Sequence, residues 1–206
     1  MIFNFTEKYQ FSTRLLLENE IIENLTSTRL LGTIISDDLS WDQNTKSIVT
    51  KANARMELVR KVASFGASED DIKNVYFLFV RSLLEQSATL WHSSLTEENS
   101  NDLERVQKSA VKVILGDKYE DYQISLKKLD LESLKDRRET LCLNFAIKCT
   151  KNPKTKHMFP ISKKTHQMEM RNSEKYKVQH ANTERLKKSA VIYMQNILNE
   201  YENRFK

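Results

Sequence analysis

Two Asp-Asp pairs, one scattered set of cysteines and histidines, one Arg-Arg pair and one lysine-rich stretch are the residues whose types could do chemistry. Adjacent carboxylates can bridge two metal ions. Asp37-Asp38 follows a strand-like run, but Leu39-Ser40-Trp41-Asp42 is no returning β-run. The pair therefore reads as a turn whose short acids accept backbone hydrogen bonds. Asp70-Asp71, with Ser68 and Glu69, reads as a helix N-terminus, where acids cap orphan amides and complement the dipole. Cys142, Cys149, His157 and His166 are spaced Cys-x6-Cys-x7-His-x8-His, without the tight two-cysteine clip of zinc modules. The two cysteines stand seven apart on a predicted helix and read as small apolar core groups. His92 reads as a helix C-terminal histidine, and no Ser-His-Asp pattern is present. With only 3 Gly in the chain, a phosphate-binding or dinucleotide-binding loop is also excluded. No catalytic residue, metal ligand or cofactor is assigned.

The cationic residues are more suggestive. Residues 151–188 carry 11 Lys or Arg against 3 Asp or Glu, whereas the rest of the chain carries 22 against 25. A basic stretch joined to a slightly acidic body suggests one polyanion-facing segment. Its candidates are Lys163, Lys164, Arg171, Lys175, Lys177, Arg185, Lys187 and Lys188, with Tyr176 placed to stack on a base. A solvated linker kept soluble by lysines is the competing reading. Arg137-Arg138 is the second candidate, because a guanidinium fork bonds two phosphate oxygens at once. Interspersed acids leave an ordinary solvated face with intrahelical pairs as its alternative. The partners implied are RNA and DNA.

The elements that must position these residues follow from periodicity. Ile2–Thr6, Arg14–Glu18, Ile21–Glu23 and Thr28–Ser36 read as strands of a small antiparallel sheet, the last with Gly32 as a bulge or a close backbone approach. A sheet this small needs a covering partner. From Asp42 the period turns helical, with Ile48, Ala52, Met56, Val59 and Val62 in step and Gly66 as a stop. A second helix from Ser68 to Trp91 carries Ile72, Val75, Tyr76, Phe79, Val80, Leu83, Leu84 and Ala88 inward. A third runs from Glu97 to Leu115 and ends at Gly116. A short helix near Tyr119–Leu129 precedes one capped at Ser133 that carries Leu134, Leu141, Cys142, Phe145 and Cys149. Asn152-Pro153 closes that helix. Order fades over Lys154–Lys188, and Ser189–Phe205 is helical again, either docking back on the bundle or binding a partner.

The expected fold is therefore mainly α. Residues 1–41 form a β-rich unit, 42–152 a helical bundle, and 153–206 a basic, partly disordered tail with a terminal amphipathic helix. The longest apolar run, Val75 to Val80, is far short of the ~20 residues that span a bilayer. The first residues lack the basic region and long apolar core of a secretory signal. An intracellular protein, in cytoplasm or nucleus, is expected.

Four segments also carry a family resemblance. Arg29-Leu30-Leu31-Gly32-Thr33-Ile34-Ile35-Ser36-Asp37-Asp38-Leu39-Ser40-Trp41 resembles the palm-to-thumb junction of non-LTR (LINE or jockey-like) retrotransposon reverse transcriptases. Arg81-Ser82-Leu83-Leu84-Glu85 through Trp91 resembles that family's Arg-Ser-x-Leu-Glu-Tyr-x-x-x-x-Trp helix, with Gln86 where the pattern has Tyr. Leu103-Glu104-Arg105-Val106-Gln107-Lys108-Ser109-Ala110 resembles its Leu-x-x-Ile-Gln-x-x-Ala helix, and Leu134-Lys135-Asp136-Arg137-Arg138 its Leu-x-x-Arg-Arg helix.

The resemblance implies a palm edge, a helical thumb and a basic tail from an RNA-directed DNA polymerase. Leu31 and Gly32 would be primer-grip-like, with the glycine either admitting a phosphate to the backbone or serving packing alone. The family's metal-binding aspartates would precede this segment and lie outside the chain. Magnesium would belong to the full-length polymerase, and the upstream palm would be a partner. A zinc knuckle found in some relatives is missing here. Two other readings stand beside it. One is a helical interaction module, since residues 29–62 also resemble the N-terminus of an AlkB-type tRNA-modifying oxygenase. The other is a decayed reading frame.

Overall fold

The computed structural model describes residues 15–162 and 175–204. The expected strands Ile2–Thr6 and the tail residues Lys163, Lys164, His166 and Arg171 lie outside the described residues. Two antiparallel two-stranded sheets come first: β1 (Leu16–Leu17) with β2 (Glu20–Ile21), and β3 (Ser27–Leu30) with β4 (Thr33–Ser36). A helical bundle follows, so the mainly α architecture expected from periodicity is the one observed.

The expected single strand Thr28–Ser36 is a hairpin. Leu30 pairs with Thr33 around a two-residue loop, and Leu31 and Gly32 have φ of 49° and 87°. Two successive positive φ values mark the turn that matches strand twist in tight hairpins. Gly32 supplies this conformation without cost, while Leu31 adopts it against its side chain. Near its turn the hairpin is tied to the bundle by the Ile34 N–H, which donates to Asn44 Oδ1 at 3.0 Å.

Helix α1 (Asp42–Ser64) buries Ile48, Ala52, Met56 and Val59, as its spacing requires. The predicted Ser68–Trp91 helix is instead broken into four pieces: α2 (Glu69–Val75), a π-helical turn (Tyr76–Arg81), α3 (Ser82–Leu84) and, beyond a break, α4 (Ala88–Trp91). Ser68 caps α2, its Oγ accepting from the Asp71 N–H at 3.2 Å. The wider π turn shifts the inward stripe. Tyr76, Val80 and Leu84 stay buried, while Phe79, expected inward, is exposed. Ser87, at φ 54°, makes the break.

A 3-10 turn (His92–Ser94) leads into α5 (Glu97–Leu115), capped by Thr96 and ended at Gly116. Helices α6 (Tyr122–Lys128) and α7 (Leu134–Lys151) follow, capped by Asp121 and Ser133. Asp37-Asp38 is a turn, as read, with Asp38 Oδ1 accepting from the Ser40 N–H at 2.8 Å. One core joins α1 through α6 and the start of α7, with Trp41, Met56, Tyr76, Trp91, Leu103 and Leu134 at its centre.

The terminal helix docks back on the bundle. Short α8 (Glu184–Lys187) precedes α9 (Ala190–Arg204), which packs along α7. Ala146, Cys149, Phe159, Tyr176, Met194 and Leu198 make a second core. Cys142 and Cys149 are buried, whereas Phe145, expected inward, is exposed. Among the described residues, no helix is long and apolar enough to cross a membrane.

Candidate nucleic-acid interface

Three of the four resemblance segments, far apart in sequence, meet through their side chains. Arg137, near the start of α7, holds Glu85 in a two-pronged pair: Nη2 donates to Oε2 at 3.1 Å and Nε to Oε1. Arg81 Nε lies 3.6 Å from the same carboxylate, and its guanidinium stacks 3.5 Å from the Phe77 ring centroid. Hydrogen bonding to Glu85 holds the Arg137 guanidinium more firmly charged. Burial and the neighbouring Arg137 act on Arg81 in the opposite sense.

On the other side of the same helices, the Tyr76 hydroxyl donates to Gln107 Oε1 at 2.8 Å. Gln107 Nε2 donates to the Glu132 carbonyl at 2.9 Å and to the Tyr122 hydroxyl at 3.1 Å. Tyr122 donates in turn to Glu104, which also accepts the Leu134 N–H at 3.2 Å. Burial, reinforced by the Glu104 contact, raises the Tyr122 hydroxyl well above its ordinary pKa. These side chains bolt α5, α6, α7 and the π turn together, and the Tyr76, Gln107 and Tyr122 polar atoms all find partners within the cluster.

Arg138 does not reach solvent. Its residue exposure is 0%, and among the described residues no carboxylate forms an ion pair with it. Nη2 donates to Ser100 Oγ at 2.9 Å and Nε to His92 Nδ1 at 3.3 Å, with the Trp91 ring 5.9 Å away. Nη1 is buried without a partner. Accepting on Nδ1 requires His92 to be neutral. Burial, then the charge of Arg138, push it down to about 4. Tyr193 of α9 meets the His92 ring edge-on at 5.6 Å. Arg138 is therefore a core residue and not a phosphate contact, and Arg137 is committed to Glu85.

The hairpin tip rests on this framework. A Cβ on Gly32 would stand 2.6 Å from Nε2 of Gln86. The face without a side chain is thus turned to Gln86, which favours the packing reading of this glycine over phosphate approach. Leu31 points away, 91% exposed. No protein-family model, curated protein or solved structure matches this chain.

The described parts of the tail, residues 153–162 and 175–204, are tied to the bundle. Tyr176 is 8% exposed, so its ring is part of the second core and cannot stack on a base. Lys175 pairs with Glu202 at 2.7 Å and Lys187 with Glu184 at 2.5 Å. Lys177 and Arg185 are exposed and make no ion pair among the described residues. The Lys188 carbonyl accepts from both Ser93 and Ser94 hydroxyls at 2.7 Å, which fastens α8 to the bundle. Lys51 and Arg55, which sequence reasoning passed over, are exposed one turn apart on α1. Arg55 Nη1 donates to the Phe79 carbonyl at 2.9 Å, across the seam with the π turn. Only the helix packing shows that this pair sits on a seam.

Proposed function

We propose that this chain grips a primer–template duplex as the thumb-like part of a reverse transcriptase of the non-LTR retrotransposon kind. The observation that carries the reading is convergence: three of the resemblance segments meet as helix-to-helix contacts, through Arg137 on Glu85, Arg138 over the Trp91 ring and the Leu134 N–H on Glu104. The fourth segment's Leu31–Gly32 tip is seated at the edge of the same framework. In this reading the motif residues build the grip, and the exposed Leu31, Lys51, Arg55, Lys177 and Arg185 touch the duplex. Backbone phosphates would supply the affinity, without sequence readout. The exposed side chains of Leu15, Leu16, Leu17, Ile21 and Ile22 fit an upstream palm as their cover.

The test is fluorescence anisotropy of a labelled RNA–DNA duplex titrated with the full chain at several salt concentrations. Binding that weakens steeply with salt is expected. No binding at low salt overturns the reading and leaves the exposed leucines to a protein partner.

A further inference from the structure

We infer that Gln86 is a positioning residue that fixes the pose of the Leu31–Gly32 hairpin tip on the helical bundle. The consequence for duplex binding rests on the function proposed above, but the positioning itself does not.

A two-stranded hairpin is barely stable alone and takes its orientation from what it touches. In this one β4 lies against α1, with Thr33 and Ser36 buried and the Ile34 N–H bonded to Asn44 Oδ1 at 3.0 Å. The Leu31–Gly32 loop projects beyond that packed strand and is the part left to be placed. What it meets is Gln86, whose Cδ and Nε2 lie 3.7 Å and 2.6 Å from where a Gly32 side chain would begin. Any other residue at 32 would displace this amide.

Gln86 is well placed to act as a stop because its own backbone is held on both sides. Its carbonyl accepts from the buried Trp91 indole N–H at 3.0 Å. The preceding residue, Glu85, is clamped by Arg137. The following residue, Ser87, turns the chain in a left-handed conformation. A side chain on such a support holds its partner in one geometry. The two anchors lie 54 residues apart at Gly32 and Gln86, so the tip reports on whether the helices are assembled.

The test compares the full-length chain with Gln86→Ala and Gln86→Met, the latter keeping an unbranched side chain against Gly32. Amide exchange is followed at Leu30 and Thr33, which pair across the turn, and at Val106 and Ala110 in the core of α5. Gln86→Ala is expected to speed exchange at the hairpin by about tenfold with α5 unchanged, as local opening does. It also weakens duplex binding severalfold, and Gln86→Met restores both. Unchanged hairpin exchange in Gln86→Ala overturns the inference. So does equal acceleration in α5, which would make the residue merely structural. If the wild-type chain binds no duplex while Gln86→Ala still loosens the hairpin, the duplex reading fails and the positioning stands.

Discussion

Glu85 receives both arms of Arg137 across 52 residues of sequence, with Nη2 to Oε2 at 3.1 Å, and it shares its charge with Arg81 on its own helix. Two guanidinium groups on one sheltered carboxylate make that carboxylate the member the site cannot lose.

Glu85→Ala leaves two neighbouring cations uncompensated and is expected to cost about 2 kcal/mol of stability in urea unfolding. Arg137→Lys recovers little of the loss from Arg137→Ala, because an ammonium cannot reproduce the two-pronged contact. A lysine variant as stable as the wild type would show the fork to be irrelevant.

Leu31→Asn should raise stability by about 0.5–1 kcal/mol, since asparagine tolerates positive φ where leucine is strained. Under the proposed function the same change lowers duplex affinity by removing the tip's apolar contact. Stability and binding moving in opposite directions is the pattern to look for, by thermal unfolding and anisotropy together.

His92 makes stability depend on pH in a defined window. Its folded pKa is about 4, below the ordinary value of 6.5, so the unfolded chain binds the extra proton first. Stability from this group is full above about 6.5 and falls as pH drops through the folded value near 4. Allowing for the ring's partial exposure, the loss is on the order of 2 kcal/mol. Arg138 and Lys135 are the charges that oppose protonation, with Tyr193 beside the ring. His92→Gln should remove this part of the slope between pH 4 and 6.5 in unfolding titrations.

Salt dependence separates the tail's cations. Lys177→Gln and Arg185→Gln should each lower the slope of log affinity against log salt by about 0.7–0.9 if the side chain neutralises a phosphate. Lys175→Gln and Lys187→Gln should change it less, because those ammonium groups already face Glu202 and Glu184. Deleting residues 153–206 is a poorer test, for it strips Phe159, Tyr176, Met194 and Leu198 from α7 and exposes Ala146 and Cys149. Equal slopes for all four variants would dissociate the tail from duplex binding.

The long helices were legible because local rules agree with packing there. Ser68 and Ser133 mark starts, Gly66 and Gly116 mark stops, and α5 keeps the bounds Glu97–Leu115 that the sequence sets. The hairpin was hidden because Leu31-Gly32 lacks the Asn-Gly or Asp-Gly signature of a tight turn. The π turn and the break at Ser87 were hidden because the apolar stripe continues through both, and only packing of Phe79 outward reveals them. Arg138 and Tyr176 were misplaced for one reason. Cations and tyrosines in polar sequence read as surface groups, and nothing local announces that Trp91, His92 and Ser100, or Asn199, will close over them.

Asn199 and Gln195 of α9 treat neighbouring extended chain as a sheet would. Asn199 accepts the Tyr176 N–H at 2.8 Å and returns a bond to its carbonyl at 2.9 Å. Gln195 accepts the Gln179 N–H at 2.9 Å and donates to the Met158 carbonyl at 2.7 Å. The segment around Tyr176 is thereby closed to strand addition on the side facing α9, whereas the short N-terminal hairpins have edges that no third strand covers among the described residues. Among the described residues, the segment around Tyr176 and the N-terminal hairpins thus differ in what they offer another polypeptide: one is sealed by carboxamides, the other presents a template.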